Sequence, residues 1–272
     1  MDSLLNRWMI TMLARGLTSR TITERTRVVR AFFKQTGATP NDVSHHEIIP
    51  WLAEHANAST RQSYYVHLQA FFVWMCRSEL RESNPMTRIV APKRPPSHPR
   101  PITAEHLRLV LSQRLWPSTR LKILLAAYAG LRVHEIAKIH ARDYDPVTHT
   151  LTVAGKGGFV AQLPLHPMFL EEIPSTTAWW FPSPYAHRTH QDGRSISTVI
   201  SQAFSRAGIQ ATAHQLRHFF ATSLVESGVN ALVVQQLMRH RTPASTAIYV
   251  RVSVQQEREA LNRLTLPSGA LF

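Results

Sequence analysis

Between residues 213 and 249 the sequence places histidines, an arginine and a tyrosine at intervals that could bind a phosphodiester and attack it. The run His214-Gln215-Leu216-Arg217-His218 is followed by Met238-Arg239-His240 and then by Tyr249, nine positions after the last histidine. Leu216, Phe219, Phe220, Leu224 and Val225 recur with a helical period, which predicts a helix over 213–226 with one apolar face. On it His214, Arg217 and His218 stand at i, i+3 and i+4 and cluster near the helix start. A helix N-terminus flanked by an arginine and imidazoles suits an anion, and phosphate is the obvious candidate.

Further charged groups precede this stretch. Gly130-Leu131-Arg132 leads into a short helical run bearing Glu135, three residues after the arginine. Taken alone, that pair reads either as a core ion pair or as an anion ligand oriented by its carboxylate. Lys156 lies in Gly155-Lys156-Gly157-Gly158, the turn between two alternating segments, so it is expected at a hairpin tip, either solvated or in contact with a ligand. The spacing is not that of a P-loop, which argues against ATP binding.

The frame around these residues is large and basic. With 272 residues and 44% hydrophobic content, the chain is expected to fold as two domains. The formal net charge of +14 comes mostly from arginine, which suits a bidentate grip on phosphates and makes nucleic acid the first partner to consider. A single cysteine, Cys76, excludes an internal disulfide framework and a cysteine-based metal site, and its apolar surroundings predict a core thiol. No apolar run approaches the roughly 20 residues of a membrane span, and the first residues lack a signal-peptide pattern. The expectation is a cytoplasmic, DNA-associated protein without a membrane or small-molecule partner.

The fold class expected is mainly α with a small β-hairpin. Residues 1–90 read as four helices: Leu4 to Leu13 ending at Gly16, a second capped by Thr18 or Ser19, a third opened by the Ser44/Glu47 capping box, and a fourth opened by Ser59 or Thr60. This part has 11 basic and seven acidic residues, yet several arginines share one helix. Arg20, Arg25, Arg27, Arg30 and Arg61 are therefore candidate phosphate contacts, with a solvated face as the plain alternative. Residues 91–101 hold five prolines and three cationic side chains, Lys93, Arg94 and Arg100. They predict an extended linker that either crosses a DNA backbone or merely spaces the domains. Beyond it, residues 102–272 read as a helix from Thr103, an apolar helix from Ser118 to Gly130, the 149–165 hairpin and a proline-rich loop to 193. A helix opened by Ser195 or Ser197, the 213–226 helix, one over 231–239 and an amphipathic stretch over 254–264 complete the chain.

Taken together, Ala129-Gly130-Leu131-Arg132-Val133-His134-Glu135, Gly155-Lys156-Gly157, His214-Gln215-Leu216-Arg217-His218, His240 and Tyr249 resemble the tyrosine recombinase family of phage-type integrases and Xer-type resolvases. The resemblance covers the second domain, and the helical first domain with its linker is similar to that family's core-binding domain. The arm-site-binding module of larger phage integrases is expected to be missing.

The resemblance implies a site-specific recombinase that cleaves double-stranded DNA through a 3′-phosphotyrosyl intermediate, with no cofactor and no metal. Tyr249 would be the nucleophile, Arg132 and Arg217 the grip on the non-bridging oxygens, and Lys156 the proton donor to the departing 5′ oxygen. His214 would move the phenol proton, His240 would bond a phosphate oxygen, and Glu135 would orient its neighbours. The 254–264 helix would dock in trans to build a tetramer on DNA, or would cap its own domain.

Three positions depart from the pattern. Arg239 stands where the family commonly has glycine, so it either adds a DNA contact or changes how closely the backbone approaches. Phe159 to Gln162 lacks basic residues, and His134 replaces a small one. Three rival readings remain: a His214/His218/His240 metal hydrolase, which Arg217 would disfavour, a DNA-binding regulator without chemistry, and a type IB topoisomerase sharing the same chemistry.

Overall fold

The structure, a computed structural model, describes residues 1–93, 100–155 and 160–239. The chain separates into two compact units, Met1–Pro96 and Ser97–Phe272. Each is built on its own apolar core.

The first unit contains α1 (Asp2–Ala14), α2 (Ser19–Thr36), α3 (His45–Ala53) and α4 (Ala58–Arg77). Its core is aromatic: Trp8 meets Phe71 edge-on at 5.1 Å and Phe32 meets Trp51 in the same way at 5.1 Å. Such pairs add directionality to simple burial and fix how α1 packs on α4 and α2 on α3. Thr18 caps α2 by accepting from the Thr21 N–H at 3.3 Å. The Ser44/Glu47 capping box is present, the Glu47 carboxylate accepting from the Ser44 N–H at 3.0 Å. The fourth helix starts differently from expectation: Asn57, not Ser59 or Thr60, caps it, its Oδ1 accepting from the N–H groups of both those residues at 2.9 and 3.2 Å. Cys76, expected in the core, is only half-buried near the end of α4.

The second unit begins with α5 (Ala104–Leu111), capped by Thr103, and α6 (Pro117–Tyr128). Here too the start shifts, because Pro117 itself occupies the first turn and no side chain caps it. Leu121, Ile123, Leu124 and Leu125 of α6 are buried in the core, and the buried Lys122 ammonium lies 5.0 Å from the Phe181 ring centroid. After α7 (Val133–Ile136) comes an antiparallel sheet of β1 (Tyr144–Asp145), β2 (Thr150–Ala154) and β3 (Val160–Pro164), in that order. The alternating residues Leu151, Val153 and Leu163 point into the core, which is why this hairpin has one register. The two-residue β1 was not expected.

Three further helices complete the described part: α8 (Gly193–Arg206), α9 (Ala213–Glu226) and α10 (Ala231–Leu237). Asp192 rather than Ser195 or Ser197 caps α8, accepting from the Ser195 N–H at 2.8 Å. The α9 boundaries coincide with those read from the apolar spacing. Among the described residues, no helix is long and apolar enough to cross a membrane.

Candidate active site

Gly130 organises the site. It follows α6 with φ +58, and a Cβ there would lie 2.4 Å from a ring carbon of Phe220 on α9. Only a residue without a side chain lets the turn pass beneath that ring, and the turn then sets Arg132 at the entrance of α7. Gly130→Ala is expected to lower stability by about 3 kcal/mol, combining the left-handed backbone with the ring clash. A urea midpoint equal to that of the unaltered protein would contradict this account of the turn.

Arg132 pairs with Glu135 twice: its N–H donates to Oε2 at 2.8 Å and its Nη1 donates to Oε1 at 2.9 Å. The Glu135 side chain is fully buried, whereas that of Arg132 is 35% exposed, so the carboxylate is the anchor and the guanidinium faces outward from it. Burial alone would raise the Glu135 pKa, but the Arg239, Arg132 and Arg217 guanidiniums and the Arg132 N–H outweigh it and leave the carboxyl below its ordinary value. The ion-pair reading of Arg132 and Glu135 is met, and the buried carboxylate sets the direction of the partly exposed guanidinium.

Arg217 projects from α9 and is 3% exposed. Its Nη1 donates to the Gly130 carbonyl and its Nη2 to the Met238 carbonyl. The guanidinium plane is thus tied to the α6–α7 turn and to the end of α10. His214 lies in the first turn of α9, where Thr212 and Gln215 form a capping box, the Gln215 Oε1 accepting from the Thr212 N–H at 2.9 Å. Partial burial, and then the charges of Arg217 and Arg132, lower the His214 pKa. A neutral imidazole able to accept a proton is the form this favours near pH 7.

His218 packs edge-on against His214, with ring centroids 4.3 Å apart. Burial, His214 and Arg217 push its pKa from 6.5 down to about 4. A depressed histidine contributes stability above its unfolded value that is lost as pH falls towards the folded one. Stability is expected to fall from pH 6.5 to pH 4, the His218 share being about 2 kcal/mol once its incomplete burial is allowed for. Denaturation of His218→Asn at pH 7, 5 and 4 checks this: the variant should show a flatter pH dependence, and an unchanged slope would remove His218 as a cause.

Arg239 requires a correction. Of its two expected roles, an added DNA contact or a change in how closely the backbone approaches, the geometry opposes the first: the side chain is turned inward, 3% exposed and 3.1 Å from Glu135. The carboxylate of Glu135 and the Gly130 carbonyl draw it in. Lys156, His240 and Tyr249 lie outside the described residues, as do Arg94 and the 254–264 helix.

The first unit's candidates divide into two groups. Arg20, Arg27, Arg30 and Lys93 are exposed. Of these, Arg27 pairs with Glu24 at 2.6 Å and Arg30 with Asp2 at 3.3 Å, both surface contacts that a phosphate can replace at little cost. Arg25 and Arg61 are half-buried. Arg61 spends Nη1 on the His55 and Ala56 carbonyls, at 3.0 and 3.4 Å, closing the end of α3. The Arg25 Nη1 lies 4.0 Å from the Met12 sulfur. Sequence reasoning overlooked the carbonyls of Gly130 and Met238, which orient the arginines. Backbone acceptors carry no residue-type signal, although the glycine itself marked the turn.

Residues 108–256 match the phage integrase family. A tyrosine recombinase, XerA, of Pyrococcus furiosus is 31% identical over 212 residues, which cover 73% of this chain and 72% of that one. The integrase of mycobacterium phage Brujita is 41% identical, with 97% of this chain and 92% of that one covered and a TM-score of 0.51. A lambda integrase dimer bound to a COC′ core site shares the fold at 19% identity, with 93% and 99% covered and a TM-score of 0.73. Fold and relatives define a tyrosine-type site-specific recombinase. The chain belongs to the phage integrase family.

Proposed function

We propose that this chain recombines double-stranded DNA by cutting and rejoining strands through Tyr249. The observation that carries this reading is the cluster of Arg132, Arg217 and His214 around the Gly130 turn, with Glu135 buried beneath it. Arg132 and Arg217 grip the non-bridging oxygens of the scissile phosphate and stabilise the charge of the pentacoordinate transition state. His214 accepts the phenol proton, the Tyr249 oxygen attacks phosphorus in line, and the 5′ oxygen departs with a proton from Lys156. His240 bonds a phosphate oxygen. The products are a 3′-phosphotyrosyl bond and a free 5′ hydroxyl. A second strand's 5′ hydroxyl then reverses the step, so one ester replaces another and no external energy source is needed.

Residues 1–90 serve as a core-binding domain that contacts the duplex backbone through Arg20, Arg27 and Arg30, and the 91–101 linker with Lys93 and Arg94 crosses that backbone. Arg25 and Arg61 support that surface rather than lead it, being half-buried. Lambda integrase has been described as a tetramer bound to a Holliday junction. A tetramer here would use the 254–264 helix, docked in trans on a neighbouring catalytic domain.

A pool of nicked duplexes carrying randomised sites tests the proposal, because the short fragment beyond the nick diffuses away and traps the covalent intermediate. A protein–DNA adduct on a denaturing gel, formed equally well in EDTA, is expected. Failure of every duplex in the pool to give an adduct, despite DNA binding, would leave a regulator without chemistry. Lys156→Ala should slow cleavage by about 100-fold or more, within the range of general acid catalysis. A 5′-bridging phosphorothioate, whose leaving group needs no proton, should restore the rate, and a substrate that brings no recovery would remove Lys156 as the acid.

A further inference from the structure

Arg239 follows α10 with φ +51, in the left-handed region that favours glycine. A long side chain persists in such a conformation when its contacts hold it there. Those contacts are specific. Nη1 donates to the Leu237 carbonyl at 2.6 Å, and Nη2 donates to the Gly130 carbonyl at 2.9 Å and to Glu135 Oε2 at 3.1 Å. Glu135 in turn binds Arg132 through Oε1 and accepts the Arg132 N–H on Oε2. One wholly buried carboxylate therefore joins two arginines that stand more than a hundred positions apart in sequence, and the Gly130 carbonyl joins Arg239 to Arg217.

We propose that Arg239 is a positioning residue for strand cleavage: its guanidinium clamps Glu135 and the Gly130 turn, and through them fixes the direction in which Arg132 faces the scissile phosphate. The inference rests on the recombinase reading above. A carboxylate held by Arg132 alone can rotate with it, whereas one bonded from both sides defines a single orientation. Nη2 reaches both the Gly130 carbonyl and the Glu135 carboxylate while Nη1, held on the Leu237 carbonyl, fixes the plane, and a lysine ammonium is a point charge without that planar second anchor. Small misplacement of a group that binds the transition state costs rate rather than affinity.

The test compares full-length Arg239→Gly and Arg239→Lys with the unaltered protein. Single-turnover cleavage of a nicked duplex is measured at saturating DNA, and binding is followed by fluorescence anisotropy across a salt series. Arg239→Gly should bind within about twofold and with the same salt dependence, yet cleave about 10- to 100-fold more slowly. Arg239→Lys should recover part of the rate. Guanidinium ion, too dilute to unfold the protein, should raise the Arg239→Gly rate several-fold. In a Glu135→Gln background the same change should add little, since the two residues act as a unit.

Cleavage by both variants at the unaltered rate would overturn the proposal. So would a loss confined to affinity, with a salt slope smaller by about one, which would put Arg239 on a DNA phosphate instead. If Arg239→Gly does not fold, Arg239→Lys decides alone: slowed cleavage with intact binding supports positioning, and an unaltered rate overturns it. An unaltered protein that forms no adduct would remove the recombinase reading as well, an outcome distinct from a fast-cleaving Arg239 variant.

Discussion

Arg217→Ala is expected to cleave DNA at least about 1,000-fold more slowly than the unaltered protein, because a charged donor to the transition-state phosphate disappears. The structure adds a second consequence. Arg217 is buried and donates to the Gly130 and Met238 carbonyls, so its removal takes a donor from the Met238 carbonyl, leaves the Gly130 carbonyl to Arg239, and loosens the turn that carries Arg132. Stability should fall by about 2–4 kcal/mol for that reason. Arg217→Lys separates the effects: it keeps a positive charge but cannot span both carbonyls, so it should recover some stability and little cleavage. Urea denaturation and single-turnover cleavage of the three proteins check this. Cleavage by Arg217→Lys at the unaltered rate would mean that the fork geometry does not matter.

Tyr249→Phe should have the largest effect on chemistry with almost none on binding. It removes one oxygen and leaves the ring, so DNA affinity should stay within about twofold while covalent capture disappears. No neighbouring hydroxyl is expected to substitute, because in-line attack demands a nucleophile about 3–3.5 Å from phosphorus in one direction. Gel-shift titration alongside a denaturing gel of the nicked duplex measures both quantities on the same preparation. An adduct yield equal to that of the unaltered protein would take Tyr249 out of the reaction.

Patterns confined to one element were readable from sequence. The apolar spacing of Leu216, Phe220 and Leu224 gave α9 its boundaries, and Ser44 with Glu47 marked the start of α3. The 149–165 alternation gave the hairpin. Helix starts failed where several capable residues stand together. Asn57, Ser59 and Thr60 can all cap, and the backbone selected the one whose oxygen reached two N–H groups. Asp192 prevailed over Ser195 because its Oδ1 accepts from both the N–H and the hydroxyl of Ser195, and Pro117 took the first turn of α6 with no cap. The two residues of β1 are too few for a period to show.

The candidate site was legible as far as residue types and spacing reach. Arg132 and Glu135 lie three residues apart, so their pairing could be anticipated. Arg239 was not legible, because its partners Glu135 and Gly130 are brought to it only by the packing of α6, α7, α9 and α10. Its place where the family commonly has glycine left a DNA contact and an altered backbone approach both open, and the left-handed backbone that turns it inward is set by where α10 ends. The dual role of Gly130, steric beneath Phe220 and electrostatic through its carbonyl, likewise emerges only in three dimensions.

The most direct measurement isolates the covalent adduct from a nicked duplex, digests protein and DNA, and sequences the linked peptide by mass spectrometry. The account predicts a nucleotide joined through its 3′ phosphate to the Tyr249 oxygen, with a 5′ hydroxyl on the released strand. Attachment at any other residue, or through a 5′ phosphate, would contradict it.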